Sequence, residues 1–207
     1  MNVKLAVTLA LATALTGPAF AATISFAGGG ELNSSTETYG VVTAYGFNGN
    51  GTATDLYGKG THNGLGSEDG LGIDDTTYSN DNEIDAFHFI SLDVSKVTGP
   101  FSLSIGSTQD NEGFSICYES AKGVSGGPHC TQYSSPTSDP FTVSGLNSSN
   151  GDFVRIGADF RETGPDNVLV NTLTYTPASP TPEPSSLIML GTGILGAAGA
   201  IRRRLSA

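Results

Sequence analysis

Apolar and polar residues alternate along most of the chain in short runs, and the runs are separated by residues that favour turns. Tyr39, Val41, Thr43, Tyr45 and Phe47 form one such row. Ala86, His88, Ile90, Leu92 and Val94 form another, with Phe87 and Phe89 on its opposite face, so this second run is expected to be buried on both sides. Phe101, Leu103 and Ile105 follow the turn at Gly99-Pro100, and Phe114, Ile116 and Tyr118 follow the polar stretch Asp110 to Gly113. Val154, Ile156, Ala158 and Phe160 give a further inward row, and Val168 to Thr176 reads as a last strand. A period of two predicts strands, and the short connections between them predict antiparallel neighbours. Six to nine strands imply an all-β domain, an antiparallel β-sandwich of jelly-roll-like type.

Composition narrows the boundaries. Residues 22–176 are rich in Gly, Ser, Thr and Asn, lack helical Ala/Glu/Leu/Lys blocks, and have the length of one domain with its own core. Residues 1–21 differ: Lys4 precedes an apolar stretch from Leu5 to Leu15, and Ala19-Phe20-Ala21 offers a small-residue cleavage site. This is the pattern of a signal peptide read by the Sec translocon, and it predicts a mature chain beginning at Ala22. Signal and tail hold four of the nine basic residues and one acid, so the exported part carries about −14 against −11 for the whole chain. Such a field repels polyanions and excludes nucleic acid as a partner.

The other distinct segment is the C-terminal one. Residues 177–186 form a Pro-rich linker containing Pro182-Glu183-Pro184, residues 187–207 begin with an uncharged Gly/Ala-rich stretch, and Arg202-Arg203-Arg204 follows it. Prolines keep the linker extended, the apolar stretch can enter a bilayer, and the arginines hold the end on the cytoplasmic side. Ser185 to Ile201 would span about 25 Å as a helix, less than the roughly 30 Å of a bilayer core, so the expected transmembrane sorting helix is a weak, transient anchor. In the order of its three parts the tail resembles the PEP-CTERM sorting signal of Gram-negative bacteria with an exopolysaccharide-rich envelope. The resemblance implies recognition by an exosortase, a membrane-embedded cysteine transpeptidase that cuts near Pro182-Glu183-Pro184. It also implies a final location in the cell envelope or outside the cell.

Within the exported domain, Gly66 to Asp85 is strongly acidic, with no Lys or Arg between Lys59 and Lys96. Two readings are open: a solvated loop whose Asp and Asn residues make turns, or a structural Ca²⁺ held by several of Asp74, Asp75, Asp81, Glu83 and Asp85. Gly70-Leu71-Gly72-Ile73-Asp74 has the core of a calcium nonapeptide repeat, in one copy. An EF-hand is excluded, because Ala86 stands where its sharp turn needs Gly. Cys117 and Cys130, the two cysteines of an exported chain, are expected to form a disulfide. Gly123-Val124-Ser125-Gly126-Gly127 fits the nucleophile-elbow pattern but lies in an all-β chain between the two half-cystines, so it reads as a turn. His62, His88 and His129 have no companion pattern. The chain therefore reads as non-enzymatic, a structural or adhesive component of an exopolysaccharide matrix. The alternatives are a carbohydrate-binding module, in which Tyr39, Tyr45, Tyr57, Tyr78 and Tyr133 would replace the missing Trp, and a hydrolase with an unrecognised carboxylate pair.

Overall fold

The computed structural model describes residues 20–60, 68–74, 81–108, 112–124, 129–134, 136–158, 167–178, 190–198 and 202. Residues 20–177 form one compact unit; residues 1–19 and 178–207 form the other. Among the described residues the first unit has thirteen strands: β1 Ala22–Ser25, β2 Gly30–Glu31, β3 Thr36–Tyr39, β4 Val42–Asn48, β5 Leu56–Lys59, β6 Gly70–Ile73, β7 His88–Asp93, β8 Pro100–Gly106, β9 Phe114–Glu119, β10 His129–Tyr133, β11 Phe141–Asn147, β12 Phe153–Ala158 and β13 Leu169–Tyr175. They make two antiparallel sheets. The first runs β11-β8-β13-β6-β5-β2, with β1 also paired to β13, and the second runs β10-β9-β12-β7-β4-β3.

The last eight strands pair as a nested set: β9 with β10, β8 with β11, β7 with β12 and β6 with β13. A long hairpin with its tip at β9 and β10 is thus wound across both sheets. The core lies between the sheets, where Leu71, Ile73, Leu103, Ile105, Val170 and Leu173 of the first meet Ile90, Leu92, Ile116, Val154 and Ile156 of the second. Period-two alternation supplies these positions, and closure of both sheets over them removes the side chains from water at about 25 cal/mol per Å² of apolar area. Phe26, just after β1, is fully buried in the same core, and its N–H donates to the Asn171 carbonyl at 3.0 Å.

Two local readings change. Tyr39 and Val41 do not share a strand with Phe47: Gly40, at φ +61°, turns the chain between β3 and β4, so Val42 and Ala44 face the core while Thr43, Tyr45 and Phe47 lie on the other face. The left-handed conformation at that turn suits glycine. Gly70 to Ile73, read from the sequence as part of an acidic loop, is instead the fully buried strand β6 between β13 and β5. Its glycines permit close backbone approach: a Cβ at Gly70 would lie 2.8 Å from the Val170 carbonyl oxygen, and one at Gly72 would lie 2.9 Å from the Glu83 Cα. Phe160 lies outside the described residues.

Candidate functional site

The acids from the sequence-derived calcium set are placed individually. Asp81 accepts the Glu83 N–H at 3.1 Å through Oδ1 and the Asn167 amide at 2.6 Å through Oδ2. Asp85 Oδ1 accepts from the Phe87 N–H at 2.8 Å and stands 2.7 Å from the His88 ring Nδ1, so His88 is a partnered, buried residue. Asp74 follows β6, and its N–H donates to the Asp55 carbonyl. Glu83 is buried and takes the Ser107 hydroxyl at 2.8 Å on Oε2 and the Lys59 ammonium on Oε1. Lys59 also bonds Glu68 at 2.9 Å. The base that sequence spacing placed at the boundary of the acidic stretch therefore reaches into it from β5.

Burial pushes the Glu83 carboxyl above its ordinary value, opposed by the hydrogen bonds from Lys59 and Ser107. Burial works against the Lys59 ammonium, but its hydrogen bonds to Glu83 and Glu68 and their charges outweigh that and hold its pKa above the ordinary lysine value. Among the described residues no three His, Cys, Asp or Glu side chains converge as a metal set. Asp75 and His62 lie outside the described residues.

Cys117 and Cys130 are bonded. They are direct register partners on β9 and β10, with Cα atoms 4.0 Å apart, so the bridge ties neighbouring strands at the base of their connection. The described part of that connection, Ser120 to Val124, leaves β9 and lies over the outer face of the second sheet. Lys122 Nζ sits 3.9 Å from the centre of the Tyr45 ring on β4, and Gly123 packs on Phe47, where a Cβ would come within 2.9 Å of the ring. Ser125 of the elbow-like sequence lies outside the described residues.

Beneath this strap the register puts Cys117 of β9, Arg155 of β12, Ser91 of β7 and Tyr45 of β4 in one row, and Glu119, Phe153, Asp93 and Thr43 in the next. Glu119 is 5%, Arg155 9% and Ser91 0% exposed, on a face that alternation alone assigns to solvent. Arg155 stacks on Phe89 at 4.7 Å, and its Nη1 lies 3.8 Å from Glu119 Oε1, an ion-pair distance beyond hydrogen-bond reach. Both Glu119 oxygens, Arg155 Nε and Ser91 Oγ are buried without a hydrogen-bond partner among the described residues. Burial pushes the Glu119 carboxyl up to about 7, with the Arg155 charge pulling it back only in part. Sequence reading missed this cluster. The only trace of it is Arg155, a charge inside the apolar row Val154 to Ala158.

In the second unit, residues 190–198 are helical, as is Arg202. Nine residues rise about 13 Å, and among the described residues no helix is long and apolar enough to cross a membrane. Residues 1–19 of the expected leader, Pro182-Glu183-Pro184 and Arg203-Arg204 lie outside the described residues. Residues 180–204 match the family model of the PEP-CTERM protein-sorting motif. No curated protein and no solved structure matches the chain. The motif and the domain ahead of it define an exported β-protein that carries a C-terminal sorting signal. Its tail is a PEP-CTERM sorting motif, which implies processing by an exosortase-type system.

Proposed function

We propose that the chain is a non-catalytic structural or adhesive component of the envelope or the extracellular exopolysaccharide matrix, delivered by transient anchoring of its tail. The observation that carries this reading is the PEP-CTERM match at residues 180–204, which begins shortly after β13 ends at Tyr175 and so makes the sandwich its cargo. The sandwich itself is suited to life outside the cell: its disulfide ties β9 to β10, and its nested strand pairs support a jelly roll, in which few strand edges are left to pair with other chains. Residues 1–21 act as a Sec leader, and residues 187–207 hold the protein in the inner membrane until the exosortase acts. The acidic exported part favours neutral or basic partners over polyanions.

The test follows the full chain in its native host. Intact mass of the released and matrix-bound protein is expected to lack Arg202 to Arg204, and the Pro184→Ala chain is expected to keep them and stay with the membrane. A strain without the gene is expected to form a less cohesive matrix. Arginines retained in every fraction of the natural protein overturn the sorting step, and a matrix of unchanged cohesion overturns the structural role.

A further inference from the structure

The outer face of the second sheet should be exposed, yet its centre is buried and, among the described residues, holds four polar atoms with no hydrogen-bond partner: Glu119 Oε1 and Oε2, Arg155 Nε and Ser91 Oγ. Each unsatisfied buried polar group costs about 1–3 kcal/mol, and charged groups cost more. Three neighbouring strands, β9, β12 and β7, bring these atoms to one place, and Ser120 to Val124, which leave β9 and reach Tyr45 and Phe47 on β4, run over the same face. A fold that accepts such a local penalty at one spot marks that spot as a place for something other than its own side chains.

The chemistry of the four atoms limits what that is. With Glu119 ionised, it and Arg155 balance each other in charge, so an ionic ligand would bring an uncompensated charge into a buried site, whereas a neutral ligand would not. Two carboxylate oxygens accept, a guanidinium N–H donates, and a serine hydroxyl does both. A pair of adjacent hydroxyls on one ligand matches this set, donating to Glu119 and accepting from Arg155. Half-buried Phe153 is the register neighbour of Glu119, and its ring lies 6.4 Å from that of Tyr45, giving apolar walls for the C–H faces of a pyranose. Gly157, next along the same face of β12, leaves room beside the guanidinium. A Cβ there would still stand 3.8 Å from Arg155 Nη2 and 3.7 Å from the Phe89 Cβ.

We propose that this face is a binding site for a neutral, hydroxyl-rich glycan residue held by Glu119, Arg155 and Ser91, with Ser120 to Val124 as its lid. The proposal rests on the matrix reading above and names the partner class. Lys122 on the Tyr45 ring is the latch, and entry is along the half-buried row of Phe153, Asp93 and Thr43.

The experiment uses the processed protein recovered from its host. The probes are oligomers of glucose, galactose and mannose, with oligogalacturonate as the anionic control, and titration calorimetry is the readout. Saturable binding of at least one neutral oligomer and none of oligogalacturonate is the expected result. Glu119→Gln and Arg155→Lys, with unchanged near-ultraviolet circular dichroism, should each weaken binding about tenfold, the effect of losing one hydrogen bond to a charged group. Ser91→Ala removes only a hydroxyl and should weaken it about threefold, so it decides the matter where the other two variants fail to fold. No binding of any neutral oligomer, stronger binding of oligogalacturonate, or affinity that the folded variants leave unchanged overturns the site. A protein found in the matrix that binds none of the probes refutes this site alone. A protein found in neither envelope nor matrix refutes the matrix reading, whatever it binds.

Discussion

Replacing Glu119 by Gln is expected to stabilise the domain at pH 8 and to leave its stability nearly unchanged at pH 4. Burial raises the Glu119 carboxyl from 4.5 in the unfolded chain to about 7 in the folded one. Between those values the folded state holds a proton that the unfolded state has lost, so native stability falls as pH rises through this window and levels off above it. A difference of this size, at about 1.4 kcal/mol per unit, amounts to roughly 3 kcal/mol. Gln is isosteric and never ionises, and its side-chain dipole still lies within 4 Å of the Arg155 charge, so the variant avoids the penalty that the wild type incurs above pH 7. In a domain of this length about 3 kcal/mol corresponds to roughly 6–12 °C in melting temperature. Urea unfolding of wild type and variant at several values between pH 4 and pH 8.5, at fixed ionic strength, isolates the effect, because the other carboxylates titrate alike in both proteins. A difference in stability that is flat across the range, or a variant less stable at pH 8, would mean that the Arg155 pairing outweighs desolvation and would refute the reasoning.

Removing the disulfide in Cys117→Ser/Cys130→Ser should lower stability by about 3 kcal/mol in the chain-entropy model, and non-reducing peptide mapping of the exported protein should recover the linked pair; two free thiols in folded material refute the bond. Lys59→Met leaves the buried Glu83 carboxylate without its cation and should cost about 3–5 kcal/mol at pH 7, shrinking toward pH 4 as that carboxyl protonates; equal losses at both pH values would assign the effect to packing. With Asp81, Glu83 and Asp85 engaged by protein partners, thermal unfolding in millimolar Ca²⁺, in Mg²⁺ and in chelator at matched ionic strength should give coincident midpoints. A rise specific to Ca²⁺ would show that the acidic stretch holds that ion.

Much of the sandwich was legible because burial of one strand face writes itself into period-two alternation. The rows at Ile90, at Leu103, at Ile116 and at Ile156 are all found in the core, and the paired cysteines followed from export and number. Strands that do not obey that code were lost. β6 reads Gly-Leu-Gly-Ile, is buried on both faces and relies on glycines for close backbone contact, so its composition mimics a loop. β1 and β2 are too short to show a period, and β10 lies at a sheet edge with little burial. The run from Tyr39 to Phe47 misled for a different reason: alternation persisted through a tight turn, and only Gly40 marked the break.

The acidic stretch and the buried cluster failed for the same physical cause. Local charge counting treats a carboxylate as solvated unless a base is near in sequence, but a sheet brings distant residues to hydrogen-bonding range. Lys59 reaches Glu83 across 24 positions, which removes part of the repulsion that motivated a cation there. Glu119 and Arg155 stand on neighbouring strands, on a face that alternation assigns to water, so neither was singled out from the sequence. What overrides that assignment is the strap, and its course over Tyr45 and Phe47 is a tertiary choice that the Gly-rich sequence after Ala121 permits without specifying. Covering the face turns two exposed charges into a desolvated pair, lifts the Glu119 pKa into the neutral range and creates the unsatisfied atoms on which a ligand can act. Here, then, the functional candidate is set less by which residues line the sheet than by which segment lies on top of them.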